Sequence, residues 1–283
     1  MVVEPATEQF GAYVRDTHLA NLSEVEFRQV LVWWYKYSVL VFPAQNLSRD
    51  EQLAFTRRFG RLERGLKRSR GAGAGFISNI DSQGNLLPES DIGRQFNIGN
   101  SVWHTDSSYK RVAAMASILS AKVVPSSGGH TEWADMRQGY DALSKSMKNW
   151  LHDKVAVHSY RFSHAWHRGL DILSDEELDD LPPVEHPIVK THPHSMRKVL
   201  FVGRHSSHIV GEEFRSSRKL LRELTFDAAQ PPRTCSHKWQ EGDVAIWDNR
   251  CVLHRARAHP PNEGLSMVRT TVAGDDPTNE WAV

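Results

Sequence analysis

The chain has 283 residues, of which 40% are hydrophobic, so a single domain spanning residues 1–283 can bury a substantial core. Its 35 Lys and Arg residues balance 34 Asp and Glu residues, which leaves no electrostatic case for a nucleic-acid or membrane-surface partner. Two cysteines are too few for a disulfide framework, and no apolar run of bilayer length or signal-peptide segment is found, so we expect a cytoplasmic protein.

Two helix starts are readable near the N-terminus. Ser23 and Ser48 each precede a glutamate by three residues, which is the spacing of a capping box. An apolar-periodic stretch follows each serine and predicts helices that end at Tyr37 and near Arg58. The apolar residues 39–42 lie between the two and are predicted to form a strand.

A long segment without a periodic pattern follows, at residues 65–99. It is rich in Gly, Ser and Asn. A loop of this length inside a compact enzyme is commonly functional, because structureless loops are otherwise short. We therefore expect residues 65–99 to form a lid over a binding site.

The next segment contains a histidine and an aspartate that could bind a metal ion. The run Trp103-His104-Thr105-Asp106 separates an imidazole and a carboxylate by two positions, and on a β-strand both would project from one face. A third ligand is needed, and His254 can supply it. Two histidines and one carboxylate hold Fe(II) while leaving coordination positions open for oxygen and an organic ligand. Alternatively, Asp106 fixes a histidine tautomer or occupies a turn, with no metal bound.

Alternating and β-branched residues dominate the rest of the chain. Residues 117–124 and 131–134 flank a Pro-Ser-Ser-Gly-Gly turn and are predicted to form a hairpin. Helices are predicted over residues 138–152 and 213–226, and residues 138–183 form a helical insertion. Further strands are predicted at residues 187–191, 198–202, 235–239, 244–248 and 267–273. This order predicts a mainly β fold with flanking helices, either a sandwich or a jelly roll.

Four runs carry a resemblance to a known family: WHTDSSY at 103–109, LSAKVVPSSGGHTEWADM at 119–136, FVGRHSSH at 201–208 and GDVAIWDNRCVLH at 242–254. Together they resemble the Fe(II)/2-oxoglutarate dioxygenases of the taurine dioxygenase group, in the order and at the separations typical of that group. The chain is most similar to the 2,4-dichlorophenoxyacetate dioxygenase branch, from about Glu24 to Asp275. The resemblance implies a double-stranded β-helix, a cupin-like jelly roll, whose catalytic metal ligands are His104, Asp106 and His254.

The chemistry that this resemblance implies is oxidative. Such an oxidoreductase uses Fe(II), with 2-oxoglutarate and O2 as cosubstrates, and releases succinate and CO2. It oxidises a C–H bond of a small organic substrate, with hydroxylation as the default outcome and desaturation, cyclisation or ether cleavage as alternatives. The protein supplies mainly binding, geometry and shielding from side reactions.

Family members bind the distal carboxylate of 2-oxoglutarate with a threonine and an arginine. Thr131, in the family's Gly-Gly-x-Thr motif, matches the threonine. Members commonly carry two arginines four residues apart on the strand after His254, the first for 2-oxoglutarate and the second often for an anionic group of the substrate. Here Leu265 stands at the first position and Arg269 at the second. Either Arg269 binds 2-oxoglutarate, which is the assignment we favour, or another cation such as Arg257 does.

Three residues are expected to contact the substrate. Asn100 matches a family position that hydrogen-bonds the substrate, Ser107 lines the same pocket, and His208 belongs to the segment that shapes the substrate chamber. The alternatives are an asparagine that caps a turn and a histidine with no ligand. Tyr109 and Trp247 are expected to wall the iron site, and the alternative for both aromatic side chains is plain core packing.

Two functions of other classes remain open. One is a metal-dependent hydrolase or lyase with zinc at the same triad, which Thr131 and Arg269 argue against because it needs no 2-oxo-acid pocket. The other is a non-catalytic binding module, which a buried His and Asp cluster without metal disfavours. The expected partner is a small molecule that bears a carboxylate. The resemblance also allows a homo-oligomer, since relatives often associate through helical surfaces.

Overall fold

The computed structural model describes residues 1–65, 74–167, 174–280 and 282–283. The strands in these ranges are β1 (Val2–Pro5), β2 (Ala12–Arg15), β3 (Val39–Phe42), β4 (Ala74–Ser78), β5 (Ala116–Val123), β6 (Thr131–Asp135), β7 (Val155–His158), β8 (Val184–Pro187), β9 (Val189–Thr191), β10 (Lys198–Leu200), β11 (Ser206–Ile209), β12 (Thr234–His237), β13 (Val244–Asp248), β14 (Val252–Ala256) and β15 (Ser266–Val272).

The helices are α1 (Glu24–Tyr37), α2 (Arg49–Arg57), α3 (Ile92–Ile98), α4 (Met136–Asp141), α5 (Lys145–Leu151), α6 (Tyr160–His167), α7 (Asp175–Asp180) and α8 (Phe214–Ala228). Among the residues that the structure describes, no helix is both long enough and apolar enough to cross a membrane.

Two sheets form the body of the fold. The major sheet has the order β1-β2-β3-β13-β5-β15-β4, and the minor sheet has the order β12-β6-β14. Two smaller sheets, β11-β7-β8 and β10-β9, flank them. Trp133 of β6 and Trp247 of β13 meet between the major and minor sheets, with ring centroids 6.0 Å apart. The predicted mainly β jelly roll with flanking helices is therefore confirmed.

The alternation of side chains along the major sheet divides the apolar residues into two cores. Side chains on one face point toward the minor sheet and form an inner core, which includes Leu119, Trp133 and Trp247. Side chains on the opposite face pack against α1 and α2 and form an outer core, which includes Trp34 and Ile246. The helices thus cover the outside of the sheet and leave the inner face available for a site.

Local capping explains where the first two helices begin. The Ser23 and Ser48 side chains each accept a hydrogen bond from the backbone N–H three residues on, and the glutamate at that position reaches back to the cap. Both predicted helices and the strand between them are confirmed. The prediction for α8 is confirmed as well, and Glu213 caps its N-terminus.

The predicted hairpin is wrong. β5 pairs with β13 and β15, whereas β6 pairs with β12 and β14, so the two segments lie in different sheets. Gly128 and Gly129 both have positive φ and carry the chain across from one sheet to the other. A Cβ at Gly128 would overlap the carbonyl oxygen of Ala258, so the crossing requires glycine there.

Two further expectations need correction. Residues 65–99 are not one loop, because β4 and α3 lie within them, and residues 66–73 fall outside the described residues. The insertion at 138–183 is helical but also contains β7, and residues 168–173 again lie outside the described part. The predicted helix over 138–152 is divided into α4 and α5, because Ser144 caps a new helix start by accepting from the Met147 N–H.

Candidate active site

His104 and Asp106 are not on a regular strand, so the strand geometry expected for them is wrong. His104 instead forms an isolated antiparallel bridge with His254, with hydrogen bonds of 3.1 and 2.8 Å between their backbone groups. Asp106 begins a turn and directs its side chain toward Ser117 of β5. The segment therefore spans the space between β14 of the minor sheet and β5 of the major sheet, and this brings the three predicted ligands together.

The three side chains form one compact cluster of metal-type donors. His104 Nε2 lies 3.9 Å from Asp106 Oδ1, and His254 Nε2 lies 3.6 Å from Asp106 Oδ2. One ligand atom from each residue lies within 4.8 Å of the others. His104, Asp106 and His254 are only 4%, 7% and 7% exposed. Two imidazoles and one carboxylate in this arrangement fit a divalent metal such as Fe(II).

Both imidazoles are held in a form that can bind a metal. The short contact of 2.7 Å from His104 Nδ1 to the carbonyl of Val102 assigns the proton to Nδ1 and leaves the Nε2 lone pair facing Asp106. Burial lowers the pKa of His104 to about 3, and the neighbouring His254 adds to this effect while Asp106 opposes it. Burial likewise lowers the pKa of His254 to about 4. Neutral imidazole is the ligand form, so no proton competes with a metal near neutral pH.

The Asp106 carboxylate is kept ionised by its surroundings. Burial alone would raise its pKa, but the Arg269 guanidinium, the two imidazoles and a hydrogen bond from Ser117 outweigh burial and hold the pKa below its usual value. Ser117 Oγ donates to Oδ2 at 2.7 Å, and Arg269 Nη1 donates to Oδ1 at 3.2 Å. The carboxylate is thus oriented from both sides.

Asn249 is a second positioning residue that sequence reasoning missed. Its side-chain oxygen accepts hydrogen bonds from the Asp106 N–H at 3.3 Å and from Trp247 Nε1 at 3.0 Å. Its amide nitrogen donates to Ser117 Oγ at 2.9 Å. Asn249 therefore fixes both the backbone of Asp106 and the hydroxyl that orients its carboxylate. In the sequence, only the place of Asn249 in the run that ends at His254 hinted at a role near the site.

Ser107 is directed into a buried ionic cluster. Its hydroxyl donates to Glu63 Oε1 at 2.6 Å, and Lys110 Nζ donates to the same oxygen at 2.9 Å. Ser107 also has a φ of 57°, which is unusual for a residue other than glycine. This hydrogen bond secures the turn after Asp106. Glu63 and Lys110 carried no signal in the sequence, because a buried ion pair looks like two ordinary charged residues.

Thr131 and Arg269 both lie on the interior side of the two sheets. Thr131 Oγ1 accepts from Trp239 Nε1 at 2.9 Å, so the hydroxyl proton is available for an acceptor. Arg269 pairs across β15 and β5 with Leu119 of the inner core. Arg257 points elsewhere, since its Nε lies 3.7 Å from Glu132 and its side chain is 52% exposed. The structure therefore does not bring Arg257 to the site.

The predicted substrate residues are not equally close to the triad. Asn100 lies in a short 3₁₀ turn just before the ligand segment, where its amide contacts Asn97 Oδ1 at 3.4 Å. His208 contacts Ser207 and the ring of Phe214, so it lies toward α8. His205 lies close to the triad, because its ring centroid is 6.4 Å from that of His104.

Aromatic side chains flank the triad as expected. The Trp247 ring lies 4.6 Å from His254, and the Tyr109 ring lies 4.8 Å from His205 and 4.4 Å from Tyr160. Burial raises the pKa of Tyr109 above its usual value, so this phenol stays protonated. Trp247 therefore contacts the triad directly, whereas Tyr109 and Tyr160 lie behind His205, whose ring is near His104.

In a second cluster of side chains that could bind a metal, an arginine already occupies the carboxylate. His192, Asp248 and Cys251 are buried together. However, Arg250 donates to both oxygens of Asp248, at 2.8 and 2.6 Å, and His192 Nε2 lies 3.0 Å from one of them. The guanidinium already supplies the positive charge that a metal would bring, so this cluster is a structural ion pair.

Comparison with known proteins gives consistent matches. The family model "Taurine catabolism dioxygenase TauD, TfdA family" matches residues 3–271. The chain is 39% identical to an (S)-phenoxypropionate/alpha-ketoglutarate-dioxygenase of Sphingobium herbicidovorans, covering 99% of this chain and 97% of the relative. It is 38% identical to an alpha-ketoglutarate-dependent 2,4-dichlorophenoxyacetate dioxygenase of Cupriavidus pinatubonensis, covering 97% and 98%.

A solved structure is equally similar. The crystal structure of AAD-2 in complex with Mn(II) and N-oxalylglycine superposes with a TM-score of 0.90 at 36% identity, covering 99% of this chain and all of that chain.

Proposed function

Because the chain belongs to the TauD, TfdA family of dioxygenases, we propose that His104, Asp106 and His254 hold the iron of an Fe(II)- and 2-oxoglutarate-dependent dioxygenase. The enzyme oxidises a C–H bond of a small organic substrate and releases succinate and CO2. The observation that carries the assignment of the ligands is the convergence of the three side chains within 4.8 Å. The family does not favour a metal-dependent hydrolase.

The protein contributes binding and orientation. Iron, once bound, supplies with 2-oxoglutarate and O2 the oxidising power that side chains lack. Ser117 and Asn249 hold the Asp106 carboxylate in place, and burial keeps both imidazoles neutral. Such partners behind the ligands tune both the affinity and the geometry of a metal site.

We assign 2-oxoglutarate binding to Thr131 and Arg269. The Trp239 indole occupies a lone pair of the Thr131 oxygen, which supports a role for the hydroxyl as a donor to a carboxylate. Arg269 offers a planar fork of donors suited to a carboxylate, and it is already oriented toward the triad by Asp106.

We propose a carboxylate-bearing substrate of the aryloxyalkanoate class, by analogy with the relatives named for phenoxypropionate and 2,4-dichlorophenoxyacetate. Asn100 and Ser107 are the proposed substrate contacts next to the segment that carries His104 and Asp106.

Residues 65–99 are the proposed lid. Within them, β4 pairs with β15 and places Gly75 opposite Arg269, which supports a position beside the site. The free cysteines Cys235 and Cys251 support a reducing, cytoplasmic location.

The metal assignment is tested by anaerobic titration with Fe(II) and then 2-oxoglutarate, measured by the weak visible charge-transfer band of a chelated 2-oxo acid. We expect the band in the wild type and its loss in His104→Ala and Asp106→Ala, because each variant removes a ligand. Circular dichroism should show that both variants remain folded. Retention of iron and turnover in both variants would contradict the assignment.

The role of Arg269 is tested by Arg269→Leu in the same titration. We expect the band to require at least about tenfold more 2-oxoglutarate, since a charge-assisted pair to a carboxylate is lost. Arg257→Leu is the matched control, because Arg257 contacts Glu132 away from the site. If Arg269→Leu weakens only the binding of the organic substrate, Arg269 has the substrate role instead.

A further inference from the structure

A tight turn holds Arg204 against the segment that carries the first metal ligand. This turn lies between β10 and β11, and the Arg204 N–H donates to the carbonyl of Trp103 at 2.9 Å. The preceding Gly203 packs so closely that a Cβ there would lie 3.5 Å from His104 Cα and 3.3 Å from the Leu253 side chain. The base of the Arg204 side chain is therefore fixed next to the triad.

The guanidinium of Arg204 is buried against a backbone rather than against an acid. Arg204 is 8% exposed, and a Cβ at Gly99 would overlap its guanidinium carbon and terminal nitrogens. Its Nε is buried and has no hydrogen-bond partner among the residues described. The ion pairs found within residues 1–65, 74–167 and 174–280 do not include Arg204. A buried cation without an anion is costly, so a ligand that supplied the anion would recover free energy.

The charge of Arg204 acts on the groups that surround the triad. Burial is the main cause of the lowered pKa of His205, and the positive charge of Arg204 is the next. The phenols of Tyr109 and Tyr160 are also within electrostatic range of the guanidinium. Together with the backbone contacts to Trp103 and His104, these effects place Arg204 beside the segment that carries the first proposed ligand.

Arg204 also lines a cavity beside α8. This cavity of about 580 Å³ lies between residues 102–103 and α8, and the triad side chains do not line it. Three further cations on its wall outnumber two acids; the cations are Arg218, Lys219 and Arg222, and the acids are Glu223 and Asp227. The excess positive charge favours the approach of an anion.

We propose that the Arg204 guanidinium binds the carboxylate of the primary substrate. The inference rests on the dioxygenase function proposed above, in which a second carboxylate, that of 2-oxoglutarate, takes Arg269. Leu265, just before β15, stands where the resemblance implies the first of two arginines, and Arg204 supplies a second guanidinium from the turn before β11. Each carboxylate then has its own planar fork of donors.

The test compares an acid with its neutral amide. Binding of 2,4-dichlorophenoxyacetate and of 2,4-dichlorophenoxyacetamide is measured by anaerobic calorimetry on protein loaded with Fe(II) and 2-oxoglutarate. The wild type should bind the acid more tightly than the amide. Arg204→Gln should weaken binding of the acid at least about 30-fold and leave that of the amide nearly unchanged, since one partner of a buried charge pair is removed.

Two further variants complete the design. Gly99→Ala keeps Arg204 but displaces its guanidinium, so it should weaken binding of the acid in the same direction and by a smaller factor. Arg215→Gln removes an exposed arginine of α8 and should change neither affinity. The 2-oxoglutarate band should persist in all three variants.

Each outcome decides between hypotheses. Equal affinity of the wild type for acid and amide, or no binding of either, overturns the Arg204 proposal. An unchanged preference for the acid in Arg204→Gln also overturns it, as does loss of the 2-oxoglutarate band in that variant. Absence of the band in the wild type would instead count against the dioxygenase function itself, so the two failures are distinguishable.

Discussion

Asp106 takes its orientation from a serine near the start of β5. Ser117 donates to the carboxylate and accepts from Asn249, so a single hydroxyl connects the proposed metal ligand to the residue that fixes its backbone. Partners of this kind influence metal affinity although they never touch the metal.

Ser117→Ala should therefore weaken Fe(II) binding by about 10- to 100-fold without unfolding the protein. The measurement is an anaerobic Fe(II) titration of both proteins. Ser120→Ala is the matched control, because Ser120 is also buried and hydrogen-bonded on β5, but its hydroxyl donates to Gln52 on the opposite face. An equal loss of affinity in the two variants would show that the effect comes from disturbing β5 as a whole.

At the scale of single residues, the sequence located the three proposed ligands but not the residues that orient them. His104, Asp106 and His254 belong to motifs, whereas Glu63, Asn249 and Arg204 act through contacts between segments far apart in the chain. Thr105 and Asn249, for example, are hydrogen-bonded at 2.7 Å although they are 144 positions apart. No local pattern records such a contact.

The helix α1 shows how an element can matter for stability without touching the site. It packs Phe27, Val30 and Trp34 into the outer core, on the face of the major sheet opposite to the triad. Its start depends on the capping box of Ser23 and Glu26.

Ser23→Ala should lower the free energy of unfolding by about 1 kcal/mol and leave Fe(II) binding unchanged, because the cap is lost while the inner face stays intact. Urea unfolding followed by circular dichroism measures the change. Ser82→Ala, at an exposed turn position, should stay within about 0.5 kcal/mol of the wild type. A comparable loss in both variants would exclude the cap as the cause.

Elements with local signals were predicted well, and those that depend on pairing were not. Caps and periodicity located α1, α2 and α8, and alternation located β13 and β15. The hairpin failed because strand pairing is decided by packing across the two sheets. The single strand expected at 187–191 is two strands, since β8 pairs with β7 and β9 pairs with β10.

For the whole molecule, one half-buried lysine is expected to make stability depend on pH. Burial lowers the pKa of Lys190 to about 7. Its Nζ lies 3.2 Å from His186 Nδ1, and His186 Nε2 donates to the carbonyl of Ser108 at 2.9 Å, just after the proposed ligand Asp106. In the unfolded chain the same lysine has a pKa of about 10.4, so between these values the unfolded state holds a proton that the native state does not.

The free energy of unfolding should therefore rise with pH over this range, by up to about 1.4 kcal/mol per pH unit from Lys190 alone. Lys190→Met should stabilise the protein most near neutral pH, and its advantage should shrink as the pH rises. Urea unfolding at several pH values measures both proteins. Lys198→Met, on the paired strand β10 and exposed, is the control. A constant advantage of Lys190→Met at every pH would contradict the assignment.

The position of β5 in the major sheet bears on how the protein is made. Its hydrogen-bonding neighbours on both sides, β13 and β15, come from near the C-terminal end of the sequence, and so does His254. During synthesis β5 therefore leaves the ribosome with both edges unpaired. It can pair with its neighbours only after β13 and β15 have been synthesised. The proposed triad is incomplete until β14 has emerged, so we expect it to bind iron only late in synthesis. We also expect nascent chains to depend on chaperones that protect the open edges of β5.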